Sequence, residues 1–248
     1  MADDKPLAGQ AAIVTGGVRR IGRATALALA HAGASVVINA RSSRAEAERV
    51  AQEVEAAGGQ ALVALADVAD EDAVAGMVDA TIAAFGRADI LVNNAANRAE
   101  SPFLQMSFAQ WREITGVMLD GAFLCSRAAL AHMVRNKHGR IVNVGGVSSH
   151  LGASRRAHVG AAKAGLVGLT RALAAEFATQ GITVNCVVPG RIGGERSATS
   201  GRGITADPPV GREGVPEDVA NMICTLCLPN SGYITGQTIH VNGGLFMP

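Results

Sequence analysis

One residue of a type that could handle protons is Lys163, set in the Ala-rich run GAAKAGLVGLTRALA. A lysine ammonium in water has a pKa of about 10.4, which makes it a poor acid or base at neutral pH. Val159 stands four residues earlier, on the same helical face, and carries no transferable proton. Ser148, Ser149, His150 and His158 lie nearby in sequence. Ser148 and His150 are the candidates for entering a site around Lys163. His158 points about 100° away from the Val159–Lys163 face and is expected at the surface or in a subunit contact. A second cluster is Thr15-Gly16-Gly17-Val18-Arg19-Arg20-Ile21-Gly22. Its glycines permit a tight turn and close backbone approach to a phosphate, and a helix N-terminus follows. Cys224 and Cys227 form a C-x-x-C, open to a redox or half-zinc reading. They sit in the apolar segment VANMICTLCLP with no second ligand pair, so buried thiols are expected.

The elements that position these residues alternate. Strands are expected at Ala11 to Thr15, Ser35 to Asn39, Ala61 to Leu65, Ile90 to Asn93, Ile141 to Val144 and Thr183 to Val188, with a closing strand near the C-terminus. Helices are expected after Gly16, over Arg44 to Ala57, Glu71 to Phe85 and Ser107 to Met133, from Val159 past Leu173, and from Pro216. Gly58-Gly59 ends the second helix. Short connections between alternating strands and helices predict an α/β fold with a doubly wound parallel sheet of about seven strands, as a single domain over residues 1–248. A Gly/Pro/Ser-rich stretch from Arg191 to Val215 is expected as a substrate lid.

Composition agrees with that class. The chain has 248 residues, 48% hydrophobic, with 30 Gly and 3% aromatic residues, which suits closely packed helices on a sheet and argues against disorder. A formal charge of +1 gives no basic excess for nucleic acid or an anionic membrane. No uninterrupted apolar stretch approaches the roughly 20 residues of a membrane span. The N-terminal MADDKPL lacks a secretory pattern, and four scattered cysteines suggest no disulfide framework, so a cytoplasmic protein is expected.

Taken together these segments resemble the short-chain dehydrogenase/reductase family, whose Rossmann-type fold binds a nicotinamide dinucleotide. The family's T-G-x-x-x-G-x-G is met by Thr15, Gly16 and Gly22, with Arg20 replacing the middle Gly. That loop resembles those of pteridine-reductase-like and 3-oxoacyl-carrier-protein-reductase-like members. Where NAD-binding chains carry an acidic residue after the second strand, this one has Arg41 and Ser42. A cation and a hydroxyl suit a 2′-phosphate, and with Arg20 opposite they favour NADP(H) over NAD(H). The alternative is that Arg41 simply lies in solvent. The resemblance further implies cofactor contacts from Arg19, Ile21, Asp67, Val68, Asn93, Ala95, Lys163, Pro189, Gly190 and Ile192, and no metal.

The same resemblance exposes what is missing. The family's Tyr-x-x-x-Lys pair keeps its Lys as Lys163, but the Tyr position is Val159. The Ser position is Gly146, the helix Asn position is Met118, and the Thr that follows Ile192 is replaced by Gly194. Val159 cannot transfer a proton and Gly146 cannot bond a carbonyl. Loss of one general acid typically costs a factor of about 10²–10⁴. Carbonyl reduction is therefore expected to be weak or absent. Three functions are compatible: an NADP(H)-dependent oxidoreductase with rearranged groups, a non-catalytic NADP(H)-binding sensor or partner subunit, and a lyase or isomerase with Lys163 as base. Family members commonly form tetramers, so the resemblance implies a homo-oligomer (tetramer or dimer), acting on an unidentified small molecule.

Overall fold

In the computed structural model, residues 5–194 and 206–248 are described; the expected lid at 191–215 lies partly outside them. The chain runs β1 (Ala11–Val14), α1 (Arg20–His31), β2 (Ser35–Ala40), α2 (Arg44–Ala56), β3 (Ala61–Leu65), α3 (Glu71–Phe85) and β4 (Ile90–Asn93). It continues through α4 (Phe108–Thr115), α5 (Gly121–Asn136), β5 (Gly139–Val144), α6 (Ser148–Leu151), α7 (Ala157–Phe177), β6 (Ile182–Pro189), α8 (Pro216–Cys227) and β7 (Thr238–Val241). The seven strands form one parallel sheet in the order β3-β2-β1-β4-β5-β6-β7. Strand order reverses between β1 and β4, which opens a crevice outside their carboxyl ends.

Every residue of β1, β4, β5 and β6 is buried, as both-face coverage of a parallel sheet requires. Neighbours along β1 separate to opposite faces: Val14 joins the core under α1, α2 and α8 with Leu29, Val50 and Ile223, while Ile13 joins the core under α3, α5 and α7 with Val78, Met133 and Ala174. Local signals set the helix ends. Asp70 Oδ1 accepts from Ala73 N–H at 2.9 Å to start α3, and Gly86 at φ 75° ends it. Ser107 and Gln110 close a reciprocal capping box on α4.

Three local expectations need correction. The segment expected as one helix from Ser107 to Met133 is continuous but widens into a π turn at Gly116–Asp120 between α4 and α5. The turn stays helical and offsets the two flanking apolar patterns by a single residue, which a reading of the whole segment as one helix passes over. The resulting run, 108–136, is long and apolar enough to cross a bilayer, yet half of its most apolar window is buried within the fold. The Gly/Ser-rich stretch after β5 is not all loop: Ser149 Oγ donates to Gly146 O at 2.7 Å, and the N–H groups of His150 and Leu151 both reach Val147 O at 3.0 Å, winding α6. His158 is fully buried instead of exposed, with Nδ1 accepting from Val159 N–H at 3.0 Å. Because α7 is flanked by α4 and α6 as well as by β6, the direction away from Lys163 leads into protein.

Candidate active site

The cleft at the β1/β4 crevice encloses about 460 Å³ and is lined by Gly16, Arg19, Arg20 and Ile21 from the first turn, Arg41 and Ser42 after β2, Asp67 and Val68 after β3, and Ala95 after β4. Its glycine turn is tightly built. Gly16 sits at φ 60°, and a Cβ on Gly22 would lie 2.2 Å from Gly16 O. Asn94 Nδ2 donates to Thr15 O and Gly16 O at 2.9 and 3.0 Å, and Gly16 N–H reaches Asn39 Oδ1 at 3.3 Å. Sequence reasoning missed Asn39 and Asn94 as supports; an Asn at or just after the end of each neighbouring strand was the available signal. At the α1 N-terminus the N-cap residue Arg19 makes no side-chain cap bond, so the first-turn N–H groups face the cleft without a capping side chain. A glycine-containing turn, an uncapped helix start and arginines on its rim fit the phosphates of a dinucleotide.

Several residues expected to contact the cofactor also take part in the scaffold. Thr15 is buried: its Oγ1 donates to Val92 O at 3.2 Å and accepts from the N–H groups of Asn94 and Ala95 at 2.9 and 3.0 Å. Asn93 donates to Ser126 Oγ and Asn143 Oδ1 at 3.1 and 2.8 Å, turning away from the cleft into the layer under α5 and α7. Gly22, Pro189, Gly190, Ile192 and Lys163 also lie outside the cleft lining. Gly190 is obligatory, since a Cβ there would come 2.6 Å from Asn242 Cα.

The two arginines of the first turn diverge. Arg19 approaches Glu46 on α2 at 3.8 Å, on the side where Arg41 and Ser42 line the cleft. Arg20, expected opposite Arg41, instead reaches the chain leaving β6, donating to Ile192 O at 2.9 Å and Gly194 O at 3.1 Å. Arg20 is the position the family fills with glycine, and its left-handed φ of 49° aims the side chain there.

At the Lys163 end, Met118, Val159, Ile114 and Ala162 close into one buried apolar cluster, with Met118 2% and Val159 4% exposed. Lys163 is buried beside it and donates from Nζ to Val144 O at 2.5 Å. Burial pushes its ammonium down to about 7, and the nearby Arg98 charge adds to that. A lysine so shifted can exchange protons near neutrality, which the sequence alone did not suggest. Burial likewise pushes the Cys186 thiol up to about 11, partly offset by Lys163. The point where a Gly146 side chain would begin is open, with Lys163 Cγ and Ser148 Oγ each 3.9 Å away. Ser148 therefore borders the emptied position, whereas Ser149 is turned to the backbone. The His150 ring packs on His240 at 4.7 Å and Phe246 at 5.3 Å, tying α6 to the C-terminal tail. Cys227 is buried and Cys224 half-buried, both free thiols, and no group of three metal-ligating side chains occurs among the described residues.

Comparison with known proteins places this architecture. The family described as Enoyl-(Acyl carrier protein) reductase matches residues 16–246. A 3-oxoacyl-[acyl-carrier-protein] reductase of Synechocystis is 40% identical over 247 residues, covering 97% of this chain and 98% of its own. The (2S)-[(R)-hydroxy(phenyl)methyl]succinyl-CoA dehydrogenase subunit BbsD of Thauera aromatica is 43% identical over 240 residues, covering 94% and 95%. A crystal structure from Sinorhizobium meliloti 1021, assigned as a short-chain alcohol dehydrogenase, superposes with a TM-score of 0.88 at 34% identity, covering 97% of this chain and 98% of that one. With its seven-stranded parallel sheet, its glycine-turn cradle and these whole-length relatives, the chain belongs to the short-chain dehydrogenase/reductase family of oxidoreductases.

Proposed function

We propose that the protein binds NADP(H) in preference to NAD(H) in the β1/β4 cleft and performs carbonyl or alcohol hydride transfer slowly, because an apolar cluster stands where its relatives' family handles protons. When bound, the dinucleotide supplies or accepts the hydride. Arg19, Arg41 and Ser42 would hold the adenosine phosphate, and the Gly16–Gly22 turn with the α1 N-terminus would hold the diphosphate. Lys163, buried and shifted towards neutrality, is the remaining group able to move a proton, with the Ser148 hydroxyl beside the emptied Gly146 position. The observation that carries the reading is the Met118–Val159–Ile114–Ala162 cluster: no side chain in it can donate or accept a proton. The relatives' names direct the substrate search to acyl thioesters bearing a 3-oxo or 3-hydroxy group. Calorimetric titration with NADPH and NADH, alongside a hydride-transfer assay on such thioesters, tests it. Binding of NADPH with turnover far below the Synechocystis relative supports the proposal; no binding of either dinucleotide overturns it.

A second reading has its own support. One of the similar proteins is named as a dehydrogenase subunit, and a chain that keeps the cradle but fills its proton-handling positions with apolar side chains suits a cofactor-binding partner of an active subunit. Co-purification with a second, catalytically complete chain favours this reading; a homo-oligomer with measurable turnover favours the first. Location in the cytoplasm and assembly into a dimer or tetramer accompany either one.

A further inference from the structure

We propose that Arg20 is a positioning residue that fastens the chain leaving β6 to the glycine-rich turn, so that one guanidinium both lines the phosphate end of the cleft and sets the wall beyond Pro189-Gly190. The inference depends on the geometry of Arg20 and only its last arm depends on the cofactor reading above.

Arg20 occupies the left-handed region at φ 49°, a conformation disfavoured for a side chain with a Cβ and kept only where its surroundings hold it. What holds it is visible: Nη2 donates to Ile192 O at 2.9 Å and Nη1 to Gly194 O at 3.1 Å. Two carbonyls two residues apart on one stretch of chain suit the planar fork of a guanidinium and not the single point of an ammonium. The other side of this stretch is already fixed. Gly193 N–H donates to Gly214 O at 2.8 Å and Gly214 N–H to Arg191 O at 3.0 Å, while the Ile192 side chain is buried in the same core as Val18 and Ile21. Arg20 therefore supplies the tie on the cleft side, and a glycine at this position would remove both the strain and the tie. An anion in the cleft meets a guanidinium that already gives two of its five donors to that wall, which links anion binding to wall position through one side chain.

Amide hydrogen exchange on the ligand-free full chain tests this, with the Gly193 amide as reporter. For Arg20→Gly, exchange at Gly193 should rise about 10-fold or more, as expected for losing charge-assisted bonds to two carbonyls. The melting temperature should stay unchanged or rise, because the left-handed strain is relieved. Arg20→Lys, which keeps the charge and loses the fork, should show an intermediate rise. Unchanged exchange at Gly193 in Arg20→Gly overturns the proposal. So does a rise spread evenly over the sheet with a lowered melting temperature, which marks Arg20 as a general structural prop. Repeating the measurement with NADPH, wild type should change at Gly193 and Arg20→Gly should not; an equal change in both contradicts the link. Failure of NADPH to bind counts against the cofactor reading, while the ligand-free arm still decides the role of Arg20.

Discussion

Combining Gly146→Ser, Val159→Tyr and Met118→Asn should restore carbonyl reduction, because each returns a hydroxyl or amide to a position the fold still presents. The three sites differ in how readily they accept the change. A serine at 146 meets no heavy atom nearer than 3.9 Å to its Cβ and needs no rearrangement. Tyrosine at 159 replaces a side chain only 4% exposed and packed with Met118, Ile114 and Ala162, so overpacking costs about 1–3 kcal/mol. Asparagine at 118 vacates volume beside it but brings an amide into apolar surroundings, a cost of about 1–3 kcal/mol if it finds no partner. Since 118 and 159 are neighbours, these costs do not add, and the triple variant should melt only modestly below wild type. A working general acid contributes a factor of about 10²–10⁴, or about 3–5 kcal/mol of barrier. The assay is the initial rate of NADPH oxidation with a 3-oxoacyl thioester, together with a thermal melt and a cofactor titration. A triple variant that is folded and binds NADPH yet gains less than about 10-fold refutes the reasoning, since the missing groups would then not be the limiting ones.

Other consequences follow from charge. Burial lowers the Lys163 pKa to about 7 against about 10.4 in an unfolded chain, so between those values the unfolded state binds more protons. Stability should therefore rise by up to a few kcal/mol as pH climbs from about 7 to about 10, and denaturant melts of Lys163→Met should lose that rise. Burial also lowers the pKa of His138, His150, His158 and His240, and the protonated His150 disfavours that of His240. A depressed histidine is penalised as pH falls below the unfolded value of about 6.5, so stability should decline from there downward, and His158→Gln should lessen the slope. Arg41→Ala should weaken NADPH by about 10-fold or more in a titration and leave NADH nearly unchanged, because it removes a charge-assisted phosphate contact.

Much of the fold was readable from sequence because its signals are local and repeated. Apolar four- to six-residue runs alternating with helical patterns placed the first six strands, the closing strand followed from the family resemblance, and α3 runs over the expected Glu71 to Phe85. The apolar or small residues at 118, 146 and 159 stand out only against the family pattern that the chain resembles, and composition and periodicity by themselves give no sign of them. What stayed hidden depends on distant parts of the chain meeting. The burial of His158 depends on tertiary packing around α7, and the π turn sits inside an otherwise continuous helical segment. Arg20 carries no sequence mark of its partners, Ile192 and Gly194, which lie 172 and 174 positions away. The lowered pKa of Lys163 belongs to the same class, because it arises from tertiary burial and from Arg98.

An intact dinucleotide cradle beside an end whose proton-handling positions carry apolar side chains or none is tested most directly by one paired measurement. NADPH affinity and NADPH-dependent reduction of a 3-oxoacyl thioester are to be measured side by side for this protein and the Synechocystis reductase. The account predicts comparable affinity, with turnover lower by a factor of about 10² or more. Equal turnover, or no uptake of NADPH, contradicts it.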